Sequence, residues 1–245
     1  MGKYFLENSK ILYEAYDFSP DFREMDLTLT RDGLEDTAFG DGAHSTKPGL
    51  QGFDFTASGF VDHAALHNEV IINADWGATD GKVFTILPES ADEGKIAYTT
   101  KGITADYSLG GAVGEMSPFS MAAHSKGERI IRGTIMASGA KTSTGSGTAR
   151  QLGLVGSTQC LYGTLHVTAI SGTVTPTITV LIESADNGSM TDPTTRITFT
   201  ASTAIEVQWA TPIAGAIADD DYWQMTWTVS GTDPSLTVYG VIGIQ

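Results

Sequence analysis

The chain has 245 residues with 14 basic and 29 acidic side chains, a formal net charge of -15. At about 150 residues per domain, this length allows one large or two modest domains, either able to bury a core. So acidic a balance argues against a grip on nucleic acid, which must neutralise phosphates with cations, and against an anionic membrane surface. The single cysteine, Cys160, cannot form an intramolecular disulfide and sits in the strand-like run QCLYGTLHV, where it reads as a small buried hydrophobe. The N-terminus lacks the apolar stretch of a secretory signal, and Leu6 stands where a myristoylation pattern needs Ser or Thr. No apolar run approaches the roughly 20 residues of a membrane helix. The expectation is a soluble chain made in the cytoplasm.

In chain order, residues 1–20 read as an irregular arm ending at Ser19-Pro20. Residues 26–62 then alternate as two strands around a long polar loop. Leu27 and Leu29 point one way and Asp26, Thr28 and Thr30 the other; Phe53, Phe55 and Ala57 oppose Asp54, Thr56 and Ser58. Side chains alternate faces along a strand, so the hairpin has one apolar and one polar side. Its loop, LEDTAFGDGAHSTK, is longer than the roughly two to five residues of a tight hairpin turn. The loop carries one exposed aromatic, Phe39, among Asp36, Asp41, His44 and Lys47. A loop that docks on a partner needs such an anchor within a polar rim.

A helix is predicted from about His63 to Ala74, with Asp62 as N-cap and Ala65, Leu66, Val70 and Ile71 near helical spacing. Strands follow near 82–87, 95–100, 103–109, 116–124 and 128–136. Small and turn-prone residues at 141–151 predict a flexible linker between a domain at 1–140 and one at 152–245. Beyond it, strands at about 159–169, 177–184, 195–201, 204–209, 222–229 and 235–244 recur at the spacing of a β-sandwich, with Trp209, Tyr222, Trp223 and Trp227 as packing groups. Both parts are acidic: 11 basic against 21 acidic side chains in 1–140, and 3 against 8 beyond.

Catalytic chemistry finds no foothold. His63 and His67 stand four apart, a spacing that lets imidazoles share a metal on a helix, but Ala64 occupies the position of a metalloprotease glutamate. Asp219-Asp220-Asp221 and Asp186-Asn187 each lack the alternating oxygens and turn glycine of a calcium loop. The glycine-rich stretches lack the lysine of a phosphate loop. The reading is a non-enzyme with no catalytic residue, metal or cofactor.

The segments Asp36-Thr37-Phe39-Gly40-Asp41, Pro48-Gly49-Leu50 and Phe53-Phe55-Gly59-Phe60-Asp62, with HAAL at 63–66, GEMSPFSMAA at 114–123 and IRGT at 131–134, resemble the tail-tube proteins of long-tailed bacteriophages. The resemblance covers roughly residues 1–140. It implies a mainly β fold: a tail-tube-like sandwich or barrel with one helix and a long hairpin loop. To this the residue pattern adds a C-terminal β-sandwich, an outer decoration or a second tube-like domain.

The resemblance further implies a structural virion protein that stacks as hexameric rings into a tail tube, with a terminator and tail-tip proteins at its ends. Double-stranded DNA would pass without specific binding. Asp36, Thr37, Phe39, Gly40, Asp41, His44, Lys47 and Pro48 would form the inter-ring loop, and Asp26, Thr28, Thr30, Asp54, Thr56 and Ser58 the channel lining. A capsid-decoration or carbohydrate-binding β-sandwich is the alternative; it accounts for the C-terminal strands and leaves the hairpin loop without a role.

Overall fold

A computed structural model describes residues 8–39 and 42–245. In chain order its elements are β1 (Lys10–Tyr13), β2 (Tyr16–Asp17), β3 (Phe22–Glu35), β4 (Thr46–Phe60), α1 (Asn68–Asp75), β5 (Lys82–Leu87), β6 (Ile96–Leu109), β7 (Pro118–Ser125) and β8 (Ile131–Lys141). They continue with β9 (Gly145–Ser146), β10 (Arg150–Gln151), β11 (Cys160–Ala185), β12 (Thr194–Thr198), β13 (Glu206–Trp209), β14 (Ile213–Ala214) and β15 (Tyr222–Ile244). The protein is mainly β, with one α-helix among the described residues.

Two compact units emerge: unit 1 from the described residues of 1–19 with 83–99 and 131–245, and unit 2 from those of 20–82 with 100–130. These borders differ from the division expected at 141–151. The reason lies in strand pairing over long sequence separations. β6 pairs with β8 through residues 96–99 and with β7 through residues 102–109, so the chain changes unit in the middle of one strand.

In unit 1 the strand order is β12-β11-β15-β8-β6-β5-β1-β2. β11 and β15 pair along their length, from Leu161 opposite Ile244 to Ala185 opposite Tyr222, with register shifts between Val167 and Thr177. Both halves of each strand feed one core. Leu161, Leu165 and Val167 cluster with Ile178, Val180 and Ile182, and Trp223, Met225 and Trp227 with Leu236, Val238 and Ile242. Bulges and bends of this kind let one ladder turn over and enclose its own apolar face.

Two expectations differ here. The sequence predicts an irregular arm at 1–20; residues 1–7 lie outside the described residues, but β1 and β2 form a hairpin, with β1 paired to β5. Apolar packing holds it, as Leu12, Tyr13 and Phe18 are buried and the Tyr13 ring meets Phe18 and Phe84. The stretch at 141–151, expected as a linker, carries β9 and β10, both paired with β15. Tryptophans gather it: the Trp227 indole donates to the Ser143 carbonyl at 3.1 Å, the Lys141 ammonium lies 4.0 Å above the Trp227 ring, and the Trp223 indole donates to Gly153 at 2.8 Å.

A polar thread also crosses unit 1. His166 is fully buried, with Nδ1 2.5 Å from the Glu14 carbonyl and Nε2 2.8 Å from the Thr85 hydroxyl. That hydroxyl lies 2.9 Å from Thr99, which in turn lies 3.3 Å from Thr164. Burial pushes the imidazole down to about 4, against the opposing effect of the Glu14 carbonyl, so the ring is neutral at pH 7.

Unit 2 is a four-stranded antiparallel sheet in the order β3-β4-β7-β6. β3 has no partner on its outer side among the described residues, and residues 102–109 of β6 form the opposite border.

Candidate functional site

The hairpin β3–β4 realises the predicted alternation. Leu27 pairs with Phe55 and Leu29 with Phe53, while Asp26 pairs with Thr56 and Thr28 with Asp54. Phe53, Phe55 and Ala57 are buried with Met121 and Ala123 of β7 and Leu27 is half-buried, but Leu29, expected on the same apolar face, is exposed. On the opposite face Asp26, Thr28, Thr30 and Thr56 are exposed, and Asp54 and Ser58 half-buried. The six residues expected to share one face do share it.

The neighbouring strands extend that face with residues for which the hairpin pattern gave no signal. Ser58 lies opposite Ser120, and Asp54 opposite His124. From β6, Asp106 and Ser108 reach the same surface beside Ala122 and Ser120. Glu24, Asp26, Thr56, Ser58, Asp106, Ser108 and Ser120 line an open depression of about 460 Å³. Asp54 is not a bare charge, since its carboxylate lies 2.6 Å from His124 Nδ1. The exposed acids of this depression are therefore Glu24, Asp26 and Asp106. Only strand pairing across more than 40 residues places Asp106 there, which is why the local pattern missed it.

At the far end of the hairpin, β3 runs to Glu35 and β4 starts at Thr46, leaving a loop of residues 36–45. Polar contacts pin its base. The Asp36 amide donates to Ser45, the Ser45 amide to the Thr37 hydroxyl at 3.0 Å, and Lys47 pairs with Asp36 at 2.6 Å. His44 Nδ1 lies 2.7 Å from Glu35, which also accepts from Thr37. His44 and then Thr37 hold the Glu35 carboxyl below its ordinary value, and Lys47 and then Ser45 do the same for Asp36. Phe39 stands fully exposed beyond this polar base, and Leu34 and Leu50 are exposed on the strands beneath it. Pro48 lies within β4 opposite Gly33; Gly40 and Asp41 fall outside the described residues.

The other end of the hairpin meets the helix, and here the expected cap is replaced. α1 begins at Asn68, with His67 as N-cap and no side-chain capping bond from it. Asp62 instead accepts from the Ala64 amide at 2.8 Å, in the turn before the helix. The helix's first amide, that of Asn68, donates to Asp21 at 3.1 Å, a carboxylate 47 residues upstream. Asp21 comes close because Gly59 lets it: a Cβ there would lie 1.9 Å from the Asp21 carbonyl oxygen, which accepts from Phe60. His63 and His67 precede the helix and do not pair; His63 lies 3.3 Å from Glu69, His67 3.0 Å from Asp21.

In unit 1 the two acidic segments come together, with Asp186, Asn187 and Asp192 beside Asp219 and Asp220 around a depression of about 340 Å³. Asp220 is already engaged with Arg196 at 2.7 Å and Ser184 at 2.8 Å.

No protein-family model matches the chain, and no curated protein matches it. Among solved structures it is similar to a chain in the virion of a native gene transfer agent particle, at 11% identity and TM-score 0.37, over 45% of this chain and 84% of that one. It is also similar to a chain in the tail of an empty gene transfer agent particle refined with C6 symmetry, at 9% identity and TM-score 0.37, over 44% of this chain and 78% of that one. A third is the SPP1 Dit protein, from a hub adsorption apparatus of phages infecting Gram-positive bacteria, at 10% identity and TM-score 0.35, over 98% of this chain and the whole of that one. With TM-scores of 0.35 to 0.37 the likeness carries no argument about function.

Proposed function

We propose that this protein is a structural subunit of a phage-type tail tube, in which the sheet of unit 2 lines a channel for DNA. The observation that carries the reading is a sheet with one face packed at its centre, one open acidic face and, among the described residues, no strand on the outer side of β3. A 14-residue strand with no described strand on its outer side is a template for a further strand, and isolated soluble proteins normally cover or blunt such an edge. Adding β6 of a neighbour to β3 satisfies those groups, and repetition around a ring closes the sheet.

Geometry favours six copies over three. With strands about 4.8 Å apart and tilted about 40°, six sheets of four strands close at a backbone diameter of about 48 Å; allowing about 5 Å of side chain on each wall leaves a bore of roughly 38 Å. Three copies leave roughly 14 Å, barely more than the width of about 12 Å of a single DNA major groove. The larger ring passes a duplex and the smaller does not.

Glu24, Asp26 and Asp106 would then repeat around every ring. Their repulsion of phosphates reaches about 8–10 Å at physiological salt, so the wall holds no phosphate and the duplex slides. Phe39, on its pinned polar base, would anchor each subunit in the next ring. No chemical step is needed, and the role is structural.

Electron microscopy of the purified full chain at high concentration tests this. Hollow tubes or stacked rings with a bore near 38 Å are the expected result. Single compact particles at every concentration, alone and over assembled tails used as seeds, would overturn it.

A further inference from the structure

The base of the unit 2 hairpin carries a side-chain group that the channel reading does not use. Asp21, just before β3, Asp62, just after β4, and His67, at the head of α1, present three ligand atoms within 4.8 Å of one another. His67 Nδ1 lies 3.0 Å from Asp21 Oδ1 and 3.4 Å from Asp62 Oδ2. Metal bonds of about 2.1 Å put neighbouring ligand atoms about 3.0 Å apart in octahedral and about 3.4 Å apart in tetrahedral coordination, so both separations suit one shared cation.

We propose that Asp21, Asp62 and His67 form a binding site for a divalent transition-metal ion of the Zn2+ class, which ties both ends of the hairpin to helix α1. One imidazole with two carboxylates suits Zn2+ better than Ca2+ or Mg2+, which favour all-oxygen sets. Asp21 is prepared for the role: it is buried, and its second oxygen is held by the Asn68 amide, the outer-shell arrangement that fixes a metal ligand. Asp62 is more exposed and leaves the site an entry path.

A second observation points the same way. The Tyr107 hydroxyl oxygen is shut off from solvent without a hydrogen-bond partner, and burial first, then the charges of Glu69 and Asp21, push it up to about 12. A buried hydroxyl without a partner calls for a water, and a metal-bound water would supply one. His63, at the helical spacing that first suggested metal binding, is turned to Glu69 and takes no part.

The site does not depend on the tube reading, and its test is separate. The full chain, treated with EDTA and dialysed, would be titrated calorimetrically with ZnCl2 and with CaCl2. About one Zn2+ per chain is expected, with affinity at least about tenfold weaker in His67→Ala and in Asp62→Asn and unchanged in His63→Ala. Far-UV circular dichroism identifies any variant that fails to fold; Asp62→Asn keeps a capping oxygen for Ala64 and carries the test if His67→Ala does not fold. Absence of Zn2+ binding, equal Zn2+ binding in folded His67→Ala or Asp62→Asn, or a preference for Ca2+ would overturn the proposal. The group would then be a hydrogen-bonded helix cap alone.

Discussion

Units 1 and 2 use β-strands in opposite ways. Unit 1 turns one ladder over on itself, so the two halves of β11 and β15 bury Trp223, Met225 and their partners against each other. Unit 2 packs the centre of one face of its four-stranded sheet, burying Phe53, Phe55, Met121 and Ala123, while the other face and, among the described residues, the outer side of β3 stay open. The first arrangement is self-sufficient. The second leaves polar backbone and acidic side chains open, and the proposed assembly role rests on that difference.

The strongest way to break the contrast is to hollow the self-sufficient core. Trp223 has no exposed surface and donates its indole hydrogen to Gly153. Trp223→Ala is expected to lower the unfolding free energy by about 3–5 kcal/mol, read from urea denaturation of the full chain. A loss below about 1 kcal/mol would mean that this core contributes little.

Acid sharpens the comparison, because the two units hold histidines of opposite behaviour. Unfolded histidine titrates near 6.5, whereas His166 in unit 1 is pushed down to about 4 by burial. As pH falls from 6.5 to 4, the unfolded chain takes up the proton first, and unit 1 loses up to about 3 kcal/mol of stability that is fully present above that window. In unit 2 the hydrogen bond to Asp21 raises His67, against burial and with the charges of Asp21 and Asp62 adding. Its contribution is present below the unfolded value and disappears as pH climbs through the raised one. Denaturation of chelator-treated protein across pH 4 to 8 measures both, and the slope from His166 should be absent in a folded variant of that residue.

Smaller effects on stability separate folding from assembly. Asp26→Lys with Asp54→Lys changes two side chains on the open face and should shift stability little, yet slow DNA ejection from assembled particles. Ejection at the normal rate would remove the channel assignment. Phe39→Ala should leave unfolding unchanged within about 0.5 kcal/mol, because the ring is fully exposed, while abolishing growth of tubes under the microscope. Tubes that still grow would show that the loop does not anchor the stack.

The amino-acid sequence determined by itself what depends on neighbours along the chain. Strand side chains alternate with period two, so the placing of Leu27, Phe53 and Phe55 on one side and Asp26, Thr28 and Thr56 on the other was legible in a short window. The same holds for the length of the hairpin loop and the mainly β character. What lay beyond that window was decided only in three dimensions. The helix cap came from Asp21 rather than the adjacent Asp62, Asp106 and His124 joined the polar face from other strands, and residues 10–13, 145–146 and 150–151 became strands through partners far along the chain. Local periodicity fixes which way a side chain points; burial of distant apolar groups, the tryptophans of unit 1 above all, decides which strands meet.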